Sequence, residues 1–402
     1  MLLYYKSCDR AKHVYLLEQY VWKLIMNQKP NPFSLRELSP AAPFCNREAE
    51  MHALSRYASS GVSVVLYGPR RFGKTSLVRR VQDRLMDQGG AALFSDFFGV
   101  TSSDDVARRL ATALYRFTSP REPLMKKAIR LMRTFRPVFR PDESGSVMIT
   151  VEPAGKTIQG LELLEQTLES LGSVVKDFSG PVNLALDEFQ EITELPDGYQ
   201  IEALMRTFIQ RVPCSFFFIG SRRRILLDMF ENQNRPFYQS ALHMELKALP
   251  EPDLISFIQE RFQVGSVNCS PDQALAIASL TRGHPYLAQK LCFLIFENCH
   301  GTVQDDHVTA SVQELMEMDR PLYEAQLQGL APRQIALLRA LAVEPTAAVF
   351  SLPYMQRHEL GSTGAVQGGL KRLTSLDLVE RDARTEAWRV TDPMFALWLA
   401  RM

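Results

Sequence analysis

LYGPRRFGKTSLVRR, residues 66–80, sets five cationic side chains around a glycine-bounded loop. The residues before it, VSVVLYG, are nearly all apolar, the pattern of a strand buried on both faces. Those after it, SLVRRVQDRL, have helical periodicity. Between them Gly68-Pro69-Arg70-Arg71-Phe72-Gly73-Lys74-Thr75 satisfies G-x-x-x-x-G-K-[ST] in the strand-loop-helix context that a phosphate loop requires. Glycines let backbone amides face phosphate oxygens, and the helix N-terminus adds partial positive charge. Lys74 reaches the β and γ oxygens, and the Thr75 hydroxyl is a Mg²⁺ ligand. Ser76 follows in the first helical turn and counts among the candidate nucleotide-binding residues. At Arg70 and Arg71 the backbone amides matter more than the side chains. Arg79 and Arg80 read as surface or interface groups. A chance match in a chain this long is on the order of one per cent.

The remaining composition narrows the setting. The chain has 402 residues, 46% of them hydrophobic, enough for two or three cores. Lysine and arginine total 46 against 45 acids, so the global field argues for neither nucleic acid nor membrane, and any basic patch is local. No run approaches the roughly 18 uninterrupted apolar residues of a membrane helix, and MLLYYKSCDRAKHVYLL mixes charge into its apolar positions. The expectation is a cytoplasmic protein without membrane insertion. The six cysteines form neither C-x-x-C pairs nor zinc spacing and read as buried thiols.

Along the chain, residues 1–45 read as an N-terminal arm, with a second plausible start at Met26. FCNREAEMHALSRYASSG is an amphipathic helix ended by Gly61. The buried-strand pattern of VSVVLYG recurs at AALFSDF, VNLALDEF and CSFFFIGS, each followed by helix-like sequence, so a parallel α/β core is expected over 46–247. Helical periodicity then takes over through 248–320, with Pro250, Pro271 and Pro285 at helix starts, where a missing amide donor is harmless. Over 321–402, helix-like segments ending in GSTGAVQGGLKRLTSLDLV and a charged hairpin, ERDARTEAWRV, suggest a winged helix-turn-helix, closed by DPMFALWLARM.

Two more strand ends carry chemistry. VNLALDEF delivers Asp187 and Glu188 to the edge where α/β sheets place ligands. Asp187 is positioned to hold Mg²⁺ and Glu188 to orient and polarise an attacking water. The plain alternative is a buried strand that ends at two solvated acids. FFFIGSRRRIL ends in Ser221 and Arg222, candidates to sense the γ-phosphate and to neutralise transition-state charge, in cis or on a neighbouring subunit. Three adjacent arginines cannot all face one phosphate, so at least two read as solvated or paired with acids.

GPRRFGKTSL, DEFQEI, GSRRRILLDMF, RPFYQSA and TRGHPYLAQKLC, together with FCNRE, resemble the archaeal-type ATPase family, a branch of the STAND class of P-loop NTPases. The resemblance covers nearly everything from Phe44 onward. It implies an additional-strand (ASCE) sheet of order 5-1-4-3-2, a helical lid and a C-terminal winged helix. It also implies ATP as the nucleotide, a G-x-P reader of nucleotide state at Gly283-His284-Pro285, and an arginine after the sensor strand at Arg222. From the residues alone, His284 could equally cap the following helix or satisfy the core.

REPLMKKAIRLMRTFRPVFRPDE, within an insert at about 118–160, reads as a basic amphipathic helix that could track a nucleic-acid backbone or simply be solvated. The following SGSVMITVEP alternates like a surface strand. From Leu330 onward nine cations face seven acids, a weak surplus for a DNA reader. Three functions stand at this point. The first is a Mg²⁺-dependent ATP switch with slow hydrolysis to ADP, acting on a protein partner and forming a nucleotide-dependent homo-oligomer. The second is a DNA-associated ATPase laid out like replication initiators, and the third a nucleotide-stabilised scaffold without catalysis. Glu188 beside Asp187 favours the enzymes, since an orienting carboxylate has no purpose in a scaffold.

Overall fold

The computed structural model describes residues 30–36, 42–119, 121–131, 135–141, 147–153, 158–382 and 385–402. The expectations for residues 1–29, including the second start at Met26, lie outside them. The described chain forms two compact units: Arg36–Leu249 with His284–Tyr286, and Pro250–Gly283 with Leu287–Met402 and residues up to Leu35.

The first unit opens with α1 (Glu48–Ser59), β1 (Val64–Tyr67), α2 (Lys74–Asp87), β2 (Ala91–Asp96), α3 (Ser103–Thr118) and α4 (Glu122–Leu131). A hairpin follows, β3 (Phe135–Pro141) and β4 (Val147–Pro153), then α5 (Gly160–Lys176), β5 (Val182–Asp187), a 3-10 turn (Phe189–Glu194), α6 (Gly198–Arg211), β6 (Ser215–Gly220), α7 (Arg223–Glu231) and β7 (Leu242–Glu245). Five strands make one parallel sheet in the order β2-β5-β6-β1-β7. Counted over every strand, this differs from the expected numerals because β3 and β4 pair only with each other. Counted over the core strands alone it is 5-1-4-3-2.

The strands are mostly apolar because both faces of the sheet are covered. On one face Val64 and Leu66 of β1, Ala185 of β5, and Phe217 and Ile219 of β6 pack with Leu54 of α1 and Leu77 and Val81 of α2. On the other, Val65 and Tyr67, Leu184 and Leu186, and Phe216 and Phe218 pack with α3, α5 and α6. Phe189, Phe218, Phe230 and Phe237 meet there as an aromatic cluster, with Phe189 perpendicular to Phe237 at 5.4 Å. Each buried phenylalanine contributes about 1.5–3 kcal/mol. Parallel strands end on the same edge, so this core presents the residues after Tyr67, Asp96, Asp187 and Gly220 side by side. The FCNREAE segment closes the core: buried Arg47 pairs with Glu50 at 3.0 Å and donates to the Lys247 carbonyl beyond β7.

The insert departs from the reading of one basic helix. The helix spans Glu122–Leu131, and FRPVFRP is a strand in antiparallel register with VMITVEP, Phe139 opposite Ile149. Pro137 and Pro141 remove the amide donors that a helix would need there, while a two-stranded edge tolerates them.

The second unit contains α8 (Glu251–Val264), α9 (Pro271–Thr281), α10 (Pro285–Asn298) from Leu287 on, α11 (Asp305–Gln328), α12 (Pro332–Val343), α13 (Leu352–Arg357), α14 (Thr363–Ser375), β8 (Val379–Arg381), β9 (Trp388–Val390) and α15 (Pro393–Ala400). Helices follow prolines at α9, α10, α12 and α15, as their N-terminal tolerance allows. Asp392 caps α15 by accepting from the amides of Met394 and Phe395. Helix α11 runs through residues 320 and 321, where the lid was expected to give way to the winged helix, and carries Pro321 inside it. Phe33 of the N-terminal stretch is buried against Phe262 at 4.8 Å, and Asn31 donates to the Phe293 carbonyl and Glu297.

Candidate functional site

The loop after β1 can take its path only with glycine. At Gly68 (φ +156°) a Cβ would lie 2.6 Å from the Leu246 carbonyl oxygen, and Gly73 (φ +84°) precedes α2 in the left-handed region. Lys74 starts α2 and is buried, and its Nζ donates to the carbonyls of Gly68 and Pro69, both at 2.8 Å. Burial pushes its pKa down to about 8, opposed by the nearby charges of Glu188 and Asp187. Among the described residues the ammonium has only loop carbonyls as hydrogen-bond partners and no carboxylate in ion-pair contact.

One helical residue on, the Thr75 hydroxyl donates to Asp187 Oδ2 at 2.6 Å. Burial raises the Asp187 pKa; the Thr75 hydrogen bond and the Glu188 amide oppose this, while Glu188 and Asp96 add to it. Asp96 was not singled out in the sequence. It stands opposite Asp187 in the β2–β5 register, and its place at the end of AALFSDF was the available signal.

Glu188 turns out of β5 in a left-handed conformation, φ 47° and ψ 42°, uncommon for a residue with a side chain. Its Oε2 accepts from the Ser221 hydroxyl at 3.0 Å, from the Ser221 amide at 3.4 Å and from Gln190 Nε2. Arg70 Nε donates to the same Ser221 hydroxyl at 3.4 Å. Lys74, Thr75, Asp187, Glu188, Ser221 and Arg70 are thus linked at one sheet edge. Arg222 makes no contact with them among the described residues: its guanidinium pairs with Glu191 at 3.3 Å and Glu194 at 2.9 Å. Arg223 pairs with Glu245 at 2.9 Å. Paired arginines were the bland reading of GSRRR, and two of the three follow it.

The variable loop positions use their side chains. Arg71, itself in the left-handed region, lies over the Tyr286 ring at 4.1 Å, and Phe72 meets His284 edge-on at 4.7 Å. Pro285 opens α10 between those two contacts. Burial pushes the His284 pKa down to about 4, with Arg71 and Lys74 adding to the effect, so the imidazole is neutral at pH 7. Arg79 lies over Phe94 at 3.5 Å, and Arg80 over Phe44 at 4.5 Å, donating to the Ala42 carbonyl.

Several cations elsewhere are engaged locally. In the insert Arg121 donates to the Phe117 carbonyl, Lys127 reaches Ser173 and Asp177, and Arg136 pairs with Glu152. In the charged hairpin Arg381 pairs with Glu386, and Arg389 with Glu380 and Asp382. Among the described residues no helix is long and apolar enough to cross a membrane.

A parallel sheet with a phosphate loop between β1 and α2 and an Asp-Glu pair two strands away defines a P-loop NTPase. The family model described as an ATPase domain predominantly from Archaea matches residues 44–262, more than half of the chain, and that of a probable winged helix domain matches residues 321–401. The chain belongs to this archaeal-type ATPase family and carries a C-terminal winged helix. Its fold is similar to that of the Walker-type ATPase of Pyrococcus abyssi, with TM-score 0.66 and 16% identity over 92% of this chain and 100% of that one. It is also similar to the ORC2 protein of Aeropyrum pernix in its ADPNP–ADP complexes, with TM-score 0.55 and 17% identity over 91% of this chain and 96% of that one. At these identities the likeness concerns the fold. No curated protein matches the sequence.

Proposed function

We propose that the chain is a Mg²⁺-dependent ATP-binding switch of the STAND type that hydrolyses ATP slowly to ADP and phosphate. The observation that carries this reading is the meeting of Thr75 and Asp187 at 2.6 Å beside a buried Lys74 that has no ion-pair partner among the described residues. The donor set fits a nucleoside triphosphate with its metal. A cation beside Asp187 relieves a carboxylate that burial disfavours, and phosphate oxygens give Lys74 a better partner than carbonyls. Mg²⁺, when bound, neutralises charge on the phosphate oxygens.

The protein's own groups then divide the work. Lys74 holds the phosphates, with the backbone of Gly68 to Gly73 around them and Ser76 in the first turn of α2. Thr75 and Asp187 hold the metal. Glu188 takes up the proton of the attacking water, and Ser221 orients the carboxylate. Arg70 acts on Ser221 from the loop, in the place that the sequence reading gave to Arg222. His284, with Pro285 beside it, reads the loop through Phe72 as a neutral ring, and Tyr286 does so through Arg71. That contact is the route by which nucleotide state would set the posture of the lid and winged helix, since a switch needs contacts that differ between states.

Calorimetric titration with ATP, with and without Mg²⁺, alongside steady-state phosphate release tests the proposal. Tight, Mg²⁺-enhanced binding with measurable release is expected. Tight binding with no release would leave a nucleotide-stabilised scaffold, and no binding would remove the assignment altogether.

A further inference from the structure

Gln190 is the fourth residue of the D-E-F-Q run at the end of β5. It is fully buried, in the 3-10 turn Phe189–Glu194. Its Nε2 donates to Glu188 Oε2. Its Oε1 is buried with no hydrogen-bond partner among the described residues. The amide cannot turn round to relieve that, because its oxygen would then face the carboxylate. An orphaned buried carbonyl costs about 1–3 kcal/mol, and a methionine or leucine would fill the same volume without it. Packing alone therefore does not account for a glutamine.

A second observation points the same way. A Cβ built on Gly220, the last residue of β6, would fall inside contact distance of Gln190 Oε1 and 3.0 Å from Leu226 Cδ2. The final strand position before Ser221 thus lacks a side chain where the glutamine amide lies. All three donors to Glu188, the Ser221 hydroxyl and amide and Gln190 Nε2, converge on Oε2. Oε1 has no donor among the described residues. A carboxylate pinned through one oxygen presents the other in a fixed direction, as a group that must accept a proton from a positioned water requires.

We infer that Gln190, seated by Gly220, is a positioning residue for the Glu188 carboxylate, holding Oε2 so that Oε1 is the basic oxygen in ATP hydrolysis. This rests on the reading of Glu188 as the base. It acts on the chemical step and leaves nucleotide binding alone, because neither Gln190 nor Gly220 lies on the phosphate loop.

The test is a set of variants measured for ATP affinity, kcat and thermal midpoint. Gln190→Met is expected to lower kcat about tenfold while KM and ATP affinity stay within about twofold and the midpoint does not fall. Gly220→Ala is expected to show the same kcat loss with reduced stability, because its Cβ displaces the amide. In the double variant Gly220→Ala/Gln190→Ser the stability returns and kcat stays low, a split that a merely structural glutamine would not give. Unchanged or raised kcat in Gln190→Met would overturn the inference. Glu188→Gln serves as the control: if it retains full turnover, the reading of Glu188 fails, whatever the Gln190 variants do. If it abolishes turnover while Gln190→Met is normal, only the positioning role fails.

Discussion

Two buried groupings of charge in the ATPase unit are built on opposite plans. At the phosphate loop, burial lowers the Lys74 pKa against the opposing charges of Glu188 and Asp187, its hydrogen bonds go to the carbonyls of Gly68 and Pro69, and among the described residues it forms no ion pair. At the other grouping, beside the aromatic cluster, Glu202 is fully buried and Arg235 meets it directly at 2.8 Å. A paired charge has its counter-charge inside the fold and is structural. An unpaired buried ammonium awaits a counter-charge from outside, at a standing desolvation penalty. By that criterion Arg222, held by Glu191 and Glu194, belongs with Arg235 and not with Lys74.

The largest effect should come from the unpaired side. Lys74→Ala is expected to weaken ATP binding by more than about a hundredfold, as loss of a charge-assisted contact to phosphate implies, without lowering the thermal midpoint. Calorimetry with a melting curve on the same sample checks both halves. A destabilised variant that still bound ATP would mean Lys74 is a structural cation like Arg235. Next in size, Glu188→Gln should keep ATP affinity within about threefold and lose turnover by about a hundredfold or more, the range for removing a general base. Single-turnover phosphate release measures it.

The unpaired side was also the side legible in the sequence. Phosphate loop, strand and helix are contiguous, so G-x-x-x-x-G-K-T reports its own geometry, and the four parallel strands are mostly apolar because both faces are covered. The pairings were not legible. Arg222 follows the sensor strand as an arginine finger would, and nothing local shows that the 3-10 turn brings Glu191 and Glu194 to it. Arg70 and Gln190 act across strands, through neighbours 151 and 30 positions away. The arginines of FRPVFRP continue the basic spacing of the helix before it, while its prolines, which exclude a helix, are the better signal.

A smaller effect tests where Arg222 belongs. Arg222→Ala is expected to change turnover by less than about threefold and to cost at most about 1 kcal/mol, the scale of a partly exposed ion pair. A tenfold loss of kcat, read by steady-state phosphate release, would show that the arginine leaves its acids in the nucleotide-bound state and would move it to the catalytic side of the comparison.

The paired side has its own signature in pH. Burial raises the Glu202 pKa from 4.5 to about 7, with the Arg235 charge opposing and Asp228 adding to the rise. The native state therefore holds this proton more tightly than the unfolded chain does. Between about pH 4.5 and 7 the native state binds more protons, so stability falls as pH rises through that window. The expected change is about 1–2 kcal/mol, already reduced for the attraction of Arg235 and for solvent reaching the pair. Urea midpoints at pH 5 and pH 8 for the wild type and for Glu202→Gln isolate it, since every other titrating group is common to both. The wild type should lose more stability between the two pH values than the variant, by that amount. Equal losses would mean that Glu202 is ionised at pH 5 and that Arg235 solvates it as well as water does; the pairing would then be complete, and the contrast with Lys74 sharper still.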